Sequence, residues 1–307
     1  MADDVRLAEA VKATARRAGA DLVGIAAIGR FDNAPPELNP RAIMSATRSV
    51  IAIGLRILRG TLKTIEDGTY WQGYNCSSYQ HLNEVAAPRI LREVVLLLED
   101  HGYTSVPVHN PFGADMGRPV RAGGVRPDGH ISLRMVGCAA GLGELGRSKL
   151  FLSPQFGPRQ RMFAVVTDAP LASDPLFTGS ICADCGACAR ACPAGAIGDA
   201  RSVELPIESR VFRHAPFNCD ACVPVHQGWD PQYSPFLDEN SSRENPPGYY
   251  RFLDHRFRHR SICGGRGCMR ACIDHLEKTG RITAKYAAPM IEGEQWRIGQ
   301  EAENSER

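Results

Sequence analysis

Of the eleven cysteines in this 307-residue chain, nine fall between residues 182 and 272. The run Cys182-x2-Cys185-x2-Cys188-x3-Cys192-Pro193 has the spacing that wraps a short loop round a 4Fe-4S cubane. Three thiolates hold one cluster and the fourth reaches across to a second. Zinc fits this run poorly, because a structural zinc site takes four ligands in two separated pairs. In a reducing compartment so many thiols are read as metal ligands rather than disulfides.

If Cys192 serves a second cluster, the rest of the chain must complete the first cluster with one ligand and supply three to the second. It offers Cys219, Cys222, Cys263, Cys268 and Cys272. By the crossover logic of bacterial-ferredoxin loops, Cys272 returns to Cys182, Cys185 and Cys188. Cys192, Cys263, Cys268 and one of Cys219 or Cys222 then form the second set, which leaves one cysteine spare. The spacing Cys263-x4-Cys268-x3-Cys272, followed by Ile273 instead of proline, departs from the usual pattern in this half. Cys76 and Cys138 stand apart from the others and read as small buried apolar residues.

The elements that must position these residues are legible in the apolar periodicity. Leu7, Val11, Ala15 and Ala18 lie at helical spacing ahead of Gly19, which gives an opening helix over residues 4–18. Residues 21–28, 49–57 and 161–168 are short apolar runs rich in branched side chains and read as buried strands. A long helix is expected over 83–101, with Pro88 near its start and Gly102 as the stop. After Leu171 the texture turns to cysteine, glycine, proline and basic residues. The expected organisation is an α+β (α/β-like) domain over 1–174, a cluster-bearing domain over 175–290 and a polar tail over 291–307.

Charge excludes little. The 36 Lys and Arg nearly balance 34 Asp and Glu, a formal +2, so a protein that coats nucleic acid generally is not expected. Seven arginines crowd residues 243–270; neutralisation of thiolate clusters and surface ion pairs are preferred over phosphate binding as their role. His226, His255, His259 and His275 read as hydrogen-bonding or surface residues beside so many thiols. The start, MADDVRLAEAVKATARR, carries acids ahead of any apolar run and no export pattern. The strongest apolar stretch, Val94 to Leu98, is far too short to span a bilayer. A soluble, cytoplasmic protein without a membrane partner is expected.

The stretches Ala140-Gly-Leu-Gly-Glu-Leu-Gly-Arg147, Leu152-Ser-Pro-Gln-Phe-Gly-Pro-Arg159 and Val165-Val-Thr-Asp-Ala-Pro-Leu171 run straight into the cysteine motif. Together they closely resemble the corrinoid-dependent reductive dehalogenases and, more distantly, the epoxyqueuosine reductases. The resemblance implies a nitroreductase-like core that binds base-off cobalamin, followed by a ferredoxin-like domain with two 4Fe-4S clusters. It places Gly141, Leu142, Gly143, Glu144, Gly146 and Arg147 against the corrin, with glycines letting the backbone approach. Electrons would come from a reduced ferredoxin or flavodoxin and reach a small organic substrate. A tyrosine would supply the proton, with a nearby cation making the phenol a better acid. Tyr79 with Arg134 is the placement by relative position, and Tyr74, His81 and Asn83 are neighbours able to serve instead. The epoxyqueuosine reductases carry an acid-containing segment before the glycine turn, where this chain reads Pro127-Asp-Gly-His-Ile-Ser-Leu-Arg134. A tRNA substrate is therefore the second reading, and a two-cluster electron carrier without corrinoid the third.

Overall fold

A computed structural model describes residues 2–109, 119–122, 131–237 and 263–298. Helix α1 (Ala2–Ala18) has Asp3 and Asp4 in its first turn and Arg16 and Arg17 in its last, both favourable to the helix dipole. Its Ala8, Val11 and Ala15 are buried. Three strands follow the apolar runs, β1 (Leu22–Ala27), β2 (Ser49–Arg56) and β6 (Gln160–Thr167), and a fourth that no apolar run announced, β3 (Ser105–Val108), joins them. They form one sheet in the order β1-β2-β6-β3 with every pair antiparallel. The architecture is therefore α+β in the strict sense.

The sheet is covered on both faces, which is why its central strands read as unbroken apolar runs. Ile51, Ile53, Phe163 and Val165 share a core with α1 and with α3 (Ala87–Asp100). Their alternates Val50, Ala52, Ala164 and Val166 pack with α4 (Leu133–Ala139) and the small sheet of β4 (Glu144–Leu145) and β5 (Phe151–Leu152). Burying a side chain such as Phe163 or Ile51 contributes about 1.5–3 kcal/mol.

The long helix differs from its sequence expectation in one important way. It starts well before residue 83, and its opening turns, Tyr74–Gln80 and Leu82–Ala86, are π-helical before they run into α3. Pro88 has no N–H to return to Glu84 and its ring crowds that carbonyl, so the widened turns sit where the helix absorbs the misfit. With i→i+5 bonding, Tyr74 and Tyr79 come to one face, their ring centroids 6.4 Å apart.

The cysteine-rich part contains α5 (Ala187–Arg190), α6 (Cys219–Gln227) and α7 (Cys268–Lys278). Between Cys192 and Cys219 it also forms a hairpin that the cysteine pattern did not announce, β7 (Val203–Ile207) with β8 (Arg210–His214). Ile207 and Phe212 anchor this hairpin in the α4 side of the core. Helix α7 is held along α2 (Arg59–Glu66) at two points. Arg59 donates to both carboxylate oxygens of Glu277 at 2.9 and 2.8 Å. Glu66 accepts from Arg270 Nε at 2.7 Å and from Arg266. Among the described residues no helix is long and apolar enough to cross a membrane.

Candidate metal centres and active site

Cys182, Cys185, Cys188 and Cys272 line one cavity, together with Gly146, Arg147, Ser148, His275 and Leu276. Left-handed backbone at Asp184 (φ 54°) and Gly186 (φ 72°) turns the loop so that three closely spaced cysteines face inward. The fourth arrives on α7. Above the loop, the buried Glu144 carboxylate accepts from the N–H groups of Ile181 and Cys182 at 2.6 and 2.7 Å, and its other oxygen takes Arg210 at 3.2 Å. Arg147 binds Asp184 at 2.7 Å, and Arg190 donates to the Cys185 carbonyl at 3.0 Å. Burial, followed by the neighbouring Cys268, Cys182 and Cys185, pushes the Cys188 thiol up to about 11. Burial and the surrounding thiols hold Cys272 well above its ordinary value too. Thiolate is the metal-binding form of cysteine, and four cysteines round one cavity are a donor set that fits a cluster. Cys185 is the exposed member.

The remaining thiols gather round Cys268, which precedes Cys272 by one turn on the same face of α7. Cys222 is raised to about 11 by burial, then by Cys268, Cys192 and Cys219. Cys268 is raised well above its usual value, first by its hydrogen bond with Cys263 and then by burial. Cys263 Sγ also lies 3.6 Å from His226 Nδ1. Five cysteines thus compete for four places. Cys219 is exposed at the start of α6 while Cys222, one turn on, is half-buried. Among the described residues no three His, Cys, Asp or Glu side chains converge as a single-ion site. The first set surrounds a cavity instead.

Arg134 lies beside this second group. Its side chain is exposed to solvent, and its guanidinium is lowered by the protein crowded round it while the charges of Cys268, Cys219 and Cys222 oppose that shift. The cation over the Tyr79 ring is Arg161 on β6, its Cζ 4.4 Å from the centroid. Arg161 Nε also donates to Asn83 Oδ1 at 2.8 Å. Burial raises both phenols above their usual value. Arg161 opposes the rise at each, by charge at Tyr79 and by charge and a hydrogen bond at Tyr74. Burial and then Arg161 and Arg134 bring His226 down to about 4. The π-helical spacing 74, 79, 83 therefore presents two tyrosines and an asparagine to one arginine. Among the described residues the buried Asn83 Nδ2 and Asn75 Oδ1 have no hydrogen-bond partner, as expected of groups that receive a polar ligand. His81, by contrast, is exposed.

The glycine turn is packed closely against the chain itself. A Cβ at Gly141 would stand 2.0 Å from the Pro175 carbonyl oxygen, and one at Gly143 would stand 1.9 Å from that of Leu152. At Gly146 it would meet the Leu152 side chain at 3.0 Å. In the Cβ direction these glycines admit the chain's own backbone and side chains. Glu144 and Arg147 serve the first thiol loop, and Leu142 packs at the edge of the α4 core. Cys138 is fully buried, in keeping with an apolar role, and Cys76 is half-buried in the π segment. Asp128, His255, His259 and the arginines from 243 to 260 lie outside the described residues. Arg266 and Arg270 are the Glu66 partners, so these two make ion pairs rather than a phosphate site.

No family model matches the chain. It is 35% identical over 123 residues to the tetrachloroethene reductive dehalogenase of Desulfitobacterium hafniense, a match covering 39% of this chain and 18% of that protein. The enzyme of the same name from Sulfurospirillum multivorans is 26% identical over 231 residues, covering 64% and 41%. The chain therefore spans less than half the length of these curated relatives. Among solved structures, the catabolic reductive dehalogenase NpRdhA matches with a TM-score of 0.54 at 19% identity, covering 91% of this chain and 36% of that one. An epoxyqueuosine reductase matches with a TM-score of 0.51 at 15% identity, covering 94% and 69%. The chain is a relative of the reductive dehalogenases and shares its mixed α and β fold with both enzyme groups, whose named members are oxidoreductases.

Proposed function

We propose that the chain is a corrinoid-dependent iron-sulfur reductase of a small organic substrate. Its core would be nitroreductase-like, and its cysteine-rich part ferredoxin-like with two 4Fe-4S clusters. The observation that supports this reading is the meeting of Cys182, Cys185, Cys188 and Cys272 at one cavity, with the other thiols beside Arg134 and near the Tyr74, Tyr79, Asn83 and Arg161 cluster. Cys182, Cys185, Cys188 and Cys272 would hold the first cluster. Cys192, Cys222, Cys263 and Cys268 would hold the second, with Cys219 spare. Electrons from a reduced ferredoxin or flavodoxin enter at the exposed Cys185 edge and leave toward Arg134.

A bound corrinoid supplies a low-valent cobalt able to reduce a carbon–halogen or similar bond. The polar atoms of Asn83 and Asn75 that have no partner among the described residues, beside Tyr79 and Arg161, are groups that would meet it or the substrate. The chain's own part is proton delivery. Tyr79 or Tyr74 gives up its phenolic proton, and Arg161, not Arg134, stabilises the phenolate left behind. Anaerobic reconstitution with iron, sulfide and hydroxocobalamin tests the reading. About eight irons with one cobalt, and EPR of reduced 4Fe-4S centres, are expected. Eight irons without cobalt leave an electron carrier.

A second reading is reduction of a tRNA epoxide, since the chain shares its fold with an epoxyqueuosine reductase as well. It requires tRNA affinity that falls steeply with salt, because phosphate contacts release counterions. A salt titration of tRNA binding separates the two.

A further inference from the structure

We propose that His275 donates a hydrogen bond from Nε2 to the cluster held by Cys182, Cys185, Cys188 and Cys272, and so raises that cluster's reduction potential. The inference rests on the cluster assignment above and adds a residue that tunes it. His275 lies on α7 three residues after Cys272, which brings both side chains to one face of the helix. It lines the same cavity as the four thiols. Its Nε2 is buried without a hydrogen-bond partner among the described residues. A buried ring nitrogen in that position is not neutral in its effect. As a bare lone pair it would face an anionic cluster and repel it. As N–H it finds in the cluster's sulfurs the acceptor it otherwise lacks.

The surroundings fix the imidazole and leave this role open. Asp274, its neighbour, takes Lys278 at 2.9 Å and the Ile291 N–H at 3.2 Å, and Glu277 is clamped by Arg59. The helix face therefore cannot easily rotate away. Arg147, the cation on the cavity wall, has its charge balanced by Asp184, and Leu276 is apolar. His275 is thus a directed donor on that wall. One added electron makes the cluster more negative, so the bond is stronger in the reduced state and favours reduction. That suits the first cluster, whose Cys185 edge is exposed to a donor. His275 is a positioning and tuning residue; it transfers nothing itself.

The test is a mediator-poised EPR titration of the anaerobically reconstituted full chain. In His275→Leu one of the two clusters is expected to be about tenfold harder to reduce, which is about 59 mV for one electron, while the other is unmoved. His275→Gln, whose amide keeps a donor near the Nε2 position, should recover most of the shift. Unchanged potentials in the Leu variant, or equal losses in both variants, would overturn the proposal. Should the Leu variant fail to load, the intact protein still decides. With 15N-labelled histidine, pulsed EPR of the reduced clusters should show a 15N coupling that disappears in His275→Gln, and its absence refutes the bond. A wild-type chain that takes up no iron sinks the cluster assignment itself, before any variant is made.

Discussion

Glu66 is the residue whose removal the structure makes most costly. Its side chain is 2% exposed and faces Arg270, 1% exposed, at 2.7 Å, with Arg266 on the other oxygen. Glu66→Ala strips the carboxylate from a guanidinium that water barely reaches. Breaking such a buried pair by deleting one partner costs about 3–5 kcal/mol, because the charge left behind is desolvated. With a urea dependence of about 3 kcal/mol per M, the unfolding midpoint should fall by roughly 1–1.7 M at unchanged slope. The consequence reaches the metal sites, since Arg270 stands between Cys268 and Cys272 on α7, one thiol for each group. Iron content per chain after reconstitution should therefore fall at both clusters together. Lys63→Ala is the control. Lys63 bridges the more exposed Asp67 and Glu292, and exposed pairs contribute about 0–1 kcal/mol. Denaturation followed by circular dichroism, with iron analysis in parallel, measures both. A Glu66→Ala midpoint within about 0.3 M of wild type, equivalent to an exposed pair, would refute the claim that α2 holds α7 through this carboxylate.

Gly143→Ala should destabilise the chain by about 1–3 kcal/mol or more before any corrinoid is added, because the new methyl meets the Leu152 carbonyl. A loss confined to cobalt uptake would restore the corrin-facing reading of that turn. Gly60→Ala, with nothing within 4 Å of its Cβ in α2, should instead stabilise by about 0.5–1 kcal/mol in the same denaturation series. Burial holds the His214 imidazole below its usual value, so the unfolded chain binds a proton near about pH 6.5 that the folded chain refuses. That contribution to stability is full above about pH 6.5 and is lost as pH falls; His214→Gln should flatten the midpoint between pH 7 and pH 5, and an unaltered slope counts against it. Arg161→Gln should lower turnover at least tenfold with clusters and cobalt retained, whereas equal activity removes Arg161 from the proton-donor group.

The sheet was legible because β1, β2 and β6 are buried on both faces and their branched runs have no other use. Their ends agree with the expected runs to within a residue or two. That Cys182, Cys185 and Cys188 meet Cys272 at one cavity was legible because so short a spacing curls the loop on itself, and no neighbour in the fold needs to be known to read it. What escaped depends on geometry with no local signal. Nothing in Tyr74-Asn-Cys-Ser-Ser-Tyr79 marks a π turn, and a 3.6-residue reading puts Tyr74 and Tyr79 on different faces; only i→i+5 bonding brings both to Arg161. Arg161 itself did leave a trace, as a charge at the head of an otherwise apolar strand that was read only for its hydrophobicity. Glycine carries a less specific signal. Gly141, Gly143 and Gly146 announce close approach without saying by what, and here the approaching groups are Pro175 and Leu152. The glycine turn thereby welds the end of α4 to the segment leading into Cys182, with Glu144 gripping the loop's first N–H groups. The part of the sequence most like a cofactor cradle thus fixes the position of the first thiols relative to the core, a condition any electron path from Cys185 toward the tyrosines must meet.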